Sequence, residues 1–299
     1  MNTQPAPAPA KAPDPATLIA AVLNPRGIAR RDGDHYVLDG FWPFGSGSEH
    51  CEWLILGANV VEDGSDEPVD HACFSVPTAE VEIKDDWHVA GLRGTGSCSL
   101  VAKAVRVPAH RYISFRDARL GKTPGGAIHE GSLCSAPLAG PLSLALCPSA
   151  IGAARGALAD FLAYVPGRTN PHLRGAPQFD SPLTHQTVAE ARARIDTADL
   201  LLHRAADDIH EAAERGGRMT TEIRTRVRMD CAFAVKSCLE AVESLFLACG
   251  GSGLSDKNPI QRAWRDLHAI NEHATLQWQT NAEIYGRTLL GLEPGTDIL

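Results

Sequence analysis

The stretch with the clearest chemical content is residues 91–97, Gly-Leu-Arg-Gly-Thr-Gly-Ser. Glycine lets the backbone come close to a flat ligand and use its own N–H groups as donors. Thr95 and Ser97 add hydroxyl groups that can donate or accept a hydrogen bond. Most segments of this composition are plain turns, so this stretch alone does not decide between a turn and a ligand site.

A second candidate stretch is residues 42–50, in which two aromatic residues flank a proline and Gly-Ser-Gly-Ser follows. The rings of Trp42 and Phe44 could stack on a planar ligand, and Ser46 could offer a hydroxyl beside it. A hairpin corner with buried aromatic side chains explains the same residues equally well, and both interpretations stay open.

Two histidines, His268 and His273, lie on the last predicted helix. They are five residues apart, whereas two metal ligands share a helix face at a spacing of four, so we expect no metal site. A single histidine on a helix is more often a packing residue than a catalyst. Histidine is nevertheless the natural base near neutral pH.

The composition bounds the class of protein. The chain has 299 residues and a net charge of −8, which argues against nucleic-acid binding because phosphate contacts need a basic surface. No apolar run looks long enough to span a membrane. The eight cysteines include no C-x-x-C pair, and we expect a reducing, cytoplasmic compartment.

The pattern along the chain predicts an α+β fold. Residues 1–15 are rich in Pro and Ala and are predicted to be a disordered arm. Residues 16–120 carry strand and turn signals, which predict an antiparallel β domain, a barrel or sandwich. A linker is expected at 121–140. Four long helices, near 151–165, 188–212, 221–248 and 259–290, predict an antiparallel four-helix bundle in residues 141–299.

Four motifs in register carry a resemblance to a known family. They are Trp-Pro-Phe-Gly-Ser-Gly at 42–47, Gly-Leu-Arg-Gly-Thr-Gly-Ser at 91–97, Gly-Gly-Ser-Gly-Leu at 250–254, and Trp-Arg-Asp at 264–266 followed by His273. In these motifs the chain resembles the acyl-CoA dehydrogenase-like flavin-dependent monooxygenases, the oxygenase components of two-component aromatic hydroxylases. In the parent dehydrogenases a catalytic glutamate follows Arg-Asp. Its place falls at residues 273–275, His-Ala-Thr, which favours the monooxygenase branch.

The resemblance implies a reduced flavin, FADH2 or FMNH2, and a separate NAD(P)H:flavin reductase. It implies hydroxylation of an aromatic or polyketide-like small molecule with O2, through a C4a-hydroperoxyflavin. Ser46 would hydrogen-bond the flavin near N5, and His273, with His268, would deprotonate the phenol or steer the distal oxygen. The residues implied in flavin contact are Trp42, Phe44, Gly45, Ser46, Gly94, Thr95, Gly96, Ser97, Gly250 and Gly251.

The family fold also implies an N-terminal helical domain, for which the chain shows no counterpart. We therefore expect a homodimer or homotetramer, or a helical partner chain, to close the substrate cavity. Alternative functions are N-oxidation or a non-redox cyclisation on the same scaffold, or a truncated, non-catalytic partner subunit of a flavoenzyme complex.

Overall fold

The computed structural model describes residues 16–62, 64–65, 67–129, 138–170, 173–215 and 219–296. The predicted arm at residues 1–15 lies outside the described residues. The chain divides into two compact units. The β unit comprises residues up to Trp87 together with Gly94–Arg116, and the helical unit comprises His88–Arg93 and the residues from Asp117 onward.

Seven strands form the sheet of the β unit. They are β1 (Ile19–Asp32), β2 (His35–Trp42), β3 (Trp53–Val61), β4 (Pro68–Pro77), β5 (Glu82–Lys84), β6 (Ser99–Pro108) and β7 (Tyr112–Ser114). Their order in the sheet is β5-β6-β2-β1-β3-β4-β7. The β1–β2 hairpin turns at Gly33, whose φ of 62° suits glycine.

The sheet is mixed, so the prediction of an antiparallel β domain is wrong in this respect. β1 and β3 pair in parallel, whereas the other neighbouring strands of this sheet pair antiparallel. A parallel pair needs a long connection between its strands. Here β2 and the segment that follows it, up to Trp53, provide that connection, because β3 returns to the free side of β1.

The core of the β unit follows from the alternation of its strands. In β2, Tyr36, Leu38 and Trp42 are buried while their neighbours are more exposed. They pack with Leu54 of β3 and Phe74 of β4 in one apolar cluster. This core supports two loops, the one that follows β2 and the one that precedes β6.

The helical unit contains α1 (Phe115–Arg119 at its boundary with the β unit), α2 (Pro124–Ile128), α3 (Ala139–Tyr164), α4 (Pro182–Glu214), α5 (Thr221–Ala248), α6 (Pro259–Asn271) and α7 (Trp278–Leu289). Two short strands, β8 (Thr169–Asn170) and β9 (Ala176–Pro177), pair between α3 and α4. Helix α5 contacts each of α3, α4, α6 and α7. The predicted apolar faces of α3 and α4 lie in the helical core, with Ile151, Phe161 and Ile195 at most 2% exposed.

The predicted fourth helix, residues 259–290, is two helices instead of one. α6 ends at Asn271 and α7 begins at Trp278. In the break, the Nδ2 atom of Asn281 donates to the backbone oxygens of Thr275 and Gln277, and Leu276 is buried. The Asn281 side chain thus satisfies the Thr275 carbonyl, which a continuous helix would bond internally.

One segment, Gly140–Gly167, is long and apolar enough to cross a membrane by length and composition. The expectation that no run is this long is therefore wrong. The core helix of a soluble protein meets the same criterion, and α3 places Ala154 and Phe161 completely inside the helical core. This segment is therefore weak evidence for a membrane span.

Candidate active site

Two loops of the β unit lie side by side and place most of the predicted flavin-contact residues together. Backbone hydrogen bonds run from Gly45 N to Cys98 O (2.9 Å) and from Gly47 N to Thr95 O (2.8 Å). A Cβ atom on Gly45 would lie 2.8 Å from the side chain of Leu100, so the close approach requires glycine. The two stretches that sequence analysis singled out separately therefore form one surface.

Three hydroxyl groups form a chain on this surface. The Oγ of Ser46 lies 2.7 Å from the Oγ of Ser97, which lies 2.8 Å from the Oγ1 of Thr95. Ser97 is only 5% exposed, whereas Ser46 is exposed. Because each hydroxyl carries one proton and can also accept, Ser97 in the middle can hold the Ser46 hydroxyl in place while Ser46 faces outward.

The two predicted aromatic contacts have different environments. Phe44 is 66% exposed, adopts a φ of 65°, and packs edge-on against Trp87 with ring centroids 6.1 Å apart. Trp42 is completely buried, and its Nε1 donates to the Gly57 carbonyl at 2.6 Å. The Trp42 ring thus packs inside the β unit, while Phe44 offers a ring at the surface.

Residues 88–93 belong to the helical unit and are held there by Arg265 and Asp266 of α6. The backbone N–H of Leu92, a residue with φ of 54°, donates to Asp266 at 2.7 Å. Arg265 donates from Nη1 to the Ala90 carbonyl at 2.5 Å. A Cβ atom on Gly91 would lie 2.1 Å from the Arg265 carbonyl oxygen. In the sequence, Arg265 and Asp266 served only as family motif residues. The contacts with Leu92 and Ala90 span 174 and 175 residues, so no local signal could have predicted them.

His268 belongs to a cluster on α5 and α6. Its Nε2 lies 3.3 Å from a carboxylate oxygen of Glu243, which also accepts a hydrogen bond from the indole of Trp264. The imidazole packs edge-on against the Trp264 ring, with centroids 4.7 Å apart. The proton on Nε2 is therefore directed to Glu243, a partner that sequence analysis missed because it lies 25 residues away on another helix.

His273 lies in the break after α6. Its Nδ1 lies 3.0 Å from the Oγ1 of Thr275 and 3.3 Å from the backbone N of Thr275. His273 is exposed, and partial desolvation by its neighbours lowers the pKa of this imidazole below its usual value. His268 and His273 therefore have different partners, as their five-residue spacing predicts. In the part of the chain that the structure describes, no group of three or more His, Cys, Asp or Glu could hold a metal ion.

Gly250 and Gly251 begin a short 3-10 turn, Gly250–Leu254, directly after α5. Gly250 adopts a φ of 58°, and no atom lies within 4 Å of a Cβ built on either glycine. A cleft of about 240 Å³ borders this turn, and Tyr164, Ser252, Lys257 and Asn258 are among the residues that line it. The glycine pair therefore leaves open space beside this cleft.

Comparison with known proteins gives consistent results. Residues 144–278 match the family described as acyl-CoA dehydrogenase, C-terminal domain. The chain is 35% identical over 292 residues to the oxygenase component of FADH(2)-dependent resorcinol hydroxylase from Rhizobium sp. (strain MTP-10005), covering 94% of this chain and 70% of that protein. It is 35% identical over 295 residues to the flavin-dependent monooxygenase oxygenase subunit HsaA of Mycobacterium tuberculosis, covering 94% of this chain and 71% of that protein.

Solved structures agree with these matches. The crystal structure of HsaA from M. tuberculosis superposes with a TM-score of 0.85 at 32% identity, over 96% of this chain and 73% of that one. XiaF from Streptomyces sp., solved in complex with FADH2 and glycerol, superposes with a TM-score of 0.87 at 30% identity, over 95% of this chain and 71% of that one. The chain therefore belongs to the acyl-CoA dehydrogenase-like flavin-dependent monooxygenases, the oxygenase components of two-component aromatic hydroxylases.

Proposed function

We propose that this chain hydroxylates a phenolic or polyketide-like aromatic molecule with O2 and a reduced flavin that a separate NAD(P)H:flavin reductase supplies. The observation that carries the proposal is the Ser46–Ser97–Thr95 hydroxyl chain on the surface built by residues 44–48 and 94–98. The relatives at 35% identity support it, because both are oxygenase components and one acts on resorcinol.

The residues present fit a flavin. The surface combines an exposed aromatic ring at Phe44 with an outward hydroxyl at Ser46, which suits a planar ring system with polar edges. Gly47 and Gly96 adopt φ values of 74° and 49°, so this backbone comes close to a ligand without strain. Ser48 is completely buried, and its hydroxyl has no hydrogen-bond partner among the described residues.

Each residue then has a defined task. Ser46 forms a hydrogen bond to the flavin, and Ser97 and Thr95 fix the direction of that hydroxyl. Phe44 would contact the flavin ring, and Gly94 and Gly96 would give room for its close approach. When bound, reduced flavin supplies the electrons that activate O2 for transfer of one oxygen atom to the aromatic ring. Water has to be excluded while this happens.

FADH2 is the favoured flavin, because the resorcinol hydroxylase and XiaF, at 35% and 30% identity, are both named with FADH2. We also propose that the chain forms a homodimer or homotetramer, in which a neighbouring subunit or a helical partner chain closes the substrate cavity. We further propose that the helical unit is arranged as a four-helix bundle and that the protein is cytoplasmic.

The test combines the purified chain, an NADH-dependent flavin reductase, FAD, ¹⁸O2 and a panel of phenols that includes resorcinol. We expect a hydroxylated product that carries one ¹⁸O atom, and no product when the chain is omitted. Ser149→Ala, which changes an exposed serine on α3, is the control that should match the wild type. Hydrogen peroxide as the sole oxygen product with every phenol would contradict the proposal.

A further inference from the structure

Two arginines of the helical unit, Arg119 at the end of α1 and Arg224 on α5, are half-buried without a counter-ion. The Nε atom of each is buried and has no hydrogen-bond partner among the described residues. Within the same part of the chain, neither guanidinium group forms an ion pair or a side-chain hydrogen bond. Because charged groups that leave water are normally paired, these two side chains call for an explanation.

The two positive charges also act on each other. Burial lowers the pKa of the Arg224 guanidinium, and the nearby charge of Arg119 lowers it further, with no carboxylate among the causes of the shift. Arg224 lies in the first turn of α5, which begins at Thr221. The dipole of a helix favours negative charge at that end and disfavours a cation. This corner of the helical unit therefore has an excess of positive charge.

The next arginine on the same face of the chain shows that carboxylates are available nearby. Arg226, two positions further along α5, donates from Nη2 to both carboxylate oxygens of Asp208 at 2.8 Å. The Nε of Arg226 also lacks a hydrogen-bond partner, but its charge is neutralised by that ion pair. Arg119 and Arg224 differ from Arg226 because their charges have no such partner among the described residues.

We propose that Arg119 and Arg224 together form an anion site, which binds a phosphate or carboxylate group of a small molecule. The planar donor groups of arginine match both oxyanions in charge and geometry. An oxyanion held by both side chains would offset their repulsion and the loss of hydration that each one bears. Both residues belong to the helical unit, so the site is separate from the Ser46 surface of the β unit and independent of the proposed reaction.

The first measurement is a calorimetric titration of the purified chain with sodium phosphate and, separately, with sodium acetate, at an ionic strength held constant with NaCl. We expect saturable binding of one ion per chain for at least one of the two anions. Binding of phosphate alone would assign the site to a phosphate group, and binding of acetate alone would assign it to a carboxylate. Absence of saturable binding with both anions would overturn the proposal.

Variants identify the residues that bind the anion. Arg119→Met and Arg224→Met should each weaken binding by about 10- to 150-fold, as loss of a hydrogen bond to a charged group does. Arg224→Lys keeps the charge but loses the planar donors, so it should also bind more weakly than the wild type. Arg192→Met, which removes an exposed arginine paired with Asp196 on α4, is the matched control and should bind as the wild type does. Equal affinity in the wild type and in both Met variants would refute the site.

Thermal unfolding keeps the test valid if a variant binds too weakly for calorimetry. The anion that binds should raise the Tm of the wild type, because a ligand of the folded state stabilises it by mass action. It should raise the Tm of Arg119→Met and Arg224→Met much less. An equal rise in all three proteins would indicate a general salt effect and would contradict the inference. Neither measurement uses flavin, O2 or a phenol, so failure of the proposed hydroxylation leaves the anion site standing.

Discussion

At the scale of single residues, the chemistry depends on side chains that hold other side chains. Ser97 is buried and lies between Ser46 and Thr95, while Thr275 sets the tautomer of His273. Neither supporting residue has to touch the substrate to matter. A hydrogen bond between neutral groups contributes about 0.5–1.5 kcal/mol, which is enough to change how long a hydroxyl keeps one orientation.

Ser97→Ala should therefore raise the fraction of reducing equivalents lost as peroxide by about 2- to 12-fold, the range that one neutral hydrogen bond gives. Ser46→Ala should have a similar effect. The measurement is the ratio of peroxide to hydroxylated product at fixed reduced flavin and O2.

If Ser97 acts through Ser46, the double variant should be little worse than either single variant, because the two changes remove one interaction. Ser97→Thr keeps a hydroxyl and serves as the matched control. Fully additive effects in the double variant would show that the two serines act independently.

At the scale of elements, the helical unit depends on two tertiary links that join distant segments. One fixes residues 88–93 to α6 through Asp266 and Arg265. The other joins α4 to α5, where Arg204 binds Asp230 through two hydrogen bonds of 2.8 and 2.5 Å. Asp230 is completely buried, and both of its carboxylate oxygens accept from Arg204.

Gly91→Ala should destabilise the protein by about 1–3 kcal/mol, the usual cost of overpacking, because the new Cβ would meet the Arg265 carbonyl at 2.1 Å. Gly152→Ala is the matched control. It lies in α3 with no atom within 4 Å of the new Cβ, and it should stabilise by about 0.5–1 kcal/mol. Urea denaturation of both variants gives the comparison, and a Gly91→Ala protein as stable as the wild type would refute the contact.

Arg204→Ala should lower the free energy of unfolding by about 3–5 kcal/mol, because it leaves the buried Asp230 carboxylate without its ion-pair partner. Asp196→Ala breaks an exposed pair with Arg192 on the same helix α4, and it should change stability little. Thermal unfolding checks both. Equal losses of stability in the two variants would contradict the prediction that pairing matters more for the buried Asp230 carboxylate.

At the scale of the whole molecule, the helices expose large apolar side chains. Leu200 on α4 is 72% exposed and Leu247 on α5 is 66% exposed. Three further leucines are also exposed: Leu183, Leu289 and Leu290. Exposed apolar surface of this kind favours association. The comparisons show the family of the chain, and its oligomeric state stays a prediction.

Light scattering should give the mass of a dimer or tetramer of the 31.9 kDa chain. Leu200→Glu and Leu247→Glu should each shift the equilibrium toward the monomer if these faces are covered by another subunit. Glu190→Gln, on an exposed part of α4, should leave the mass unchanged. A monomer at every concentration of the wild type would contradict this prediction.

The sequence by itself determined the division into strands and helices. A near-continuous apolar run predicted β3 at Trp53–Val61, and an apolar face followed by glycines predicted α5 near Thr221–Ala248, with both bounds as observed. The four motifs identified the family, which the relatives confirm. These signals are local, because side-chain periodicity records which face of an element is buried.

The tertiary structure decided which distant residues meet. Periodicity does not record the neighbour of a strand, so it did not predict the parallel pairing of β1 with β3. It also left open the contact of Ser46 with Ser97, 51 residues apart, and that of Leu92 with Asp266. The break in the predicted fourth helix also involves a distant contact, because Arg228 of α5 donates to the Oδ1 of Asn281, whose amide nitrogen bonds the Thr275 and Gln277 carbonyls.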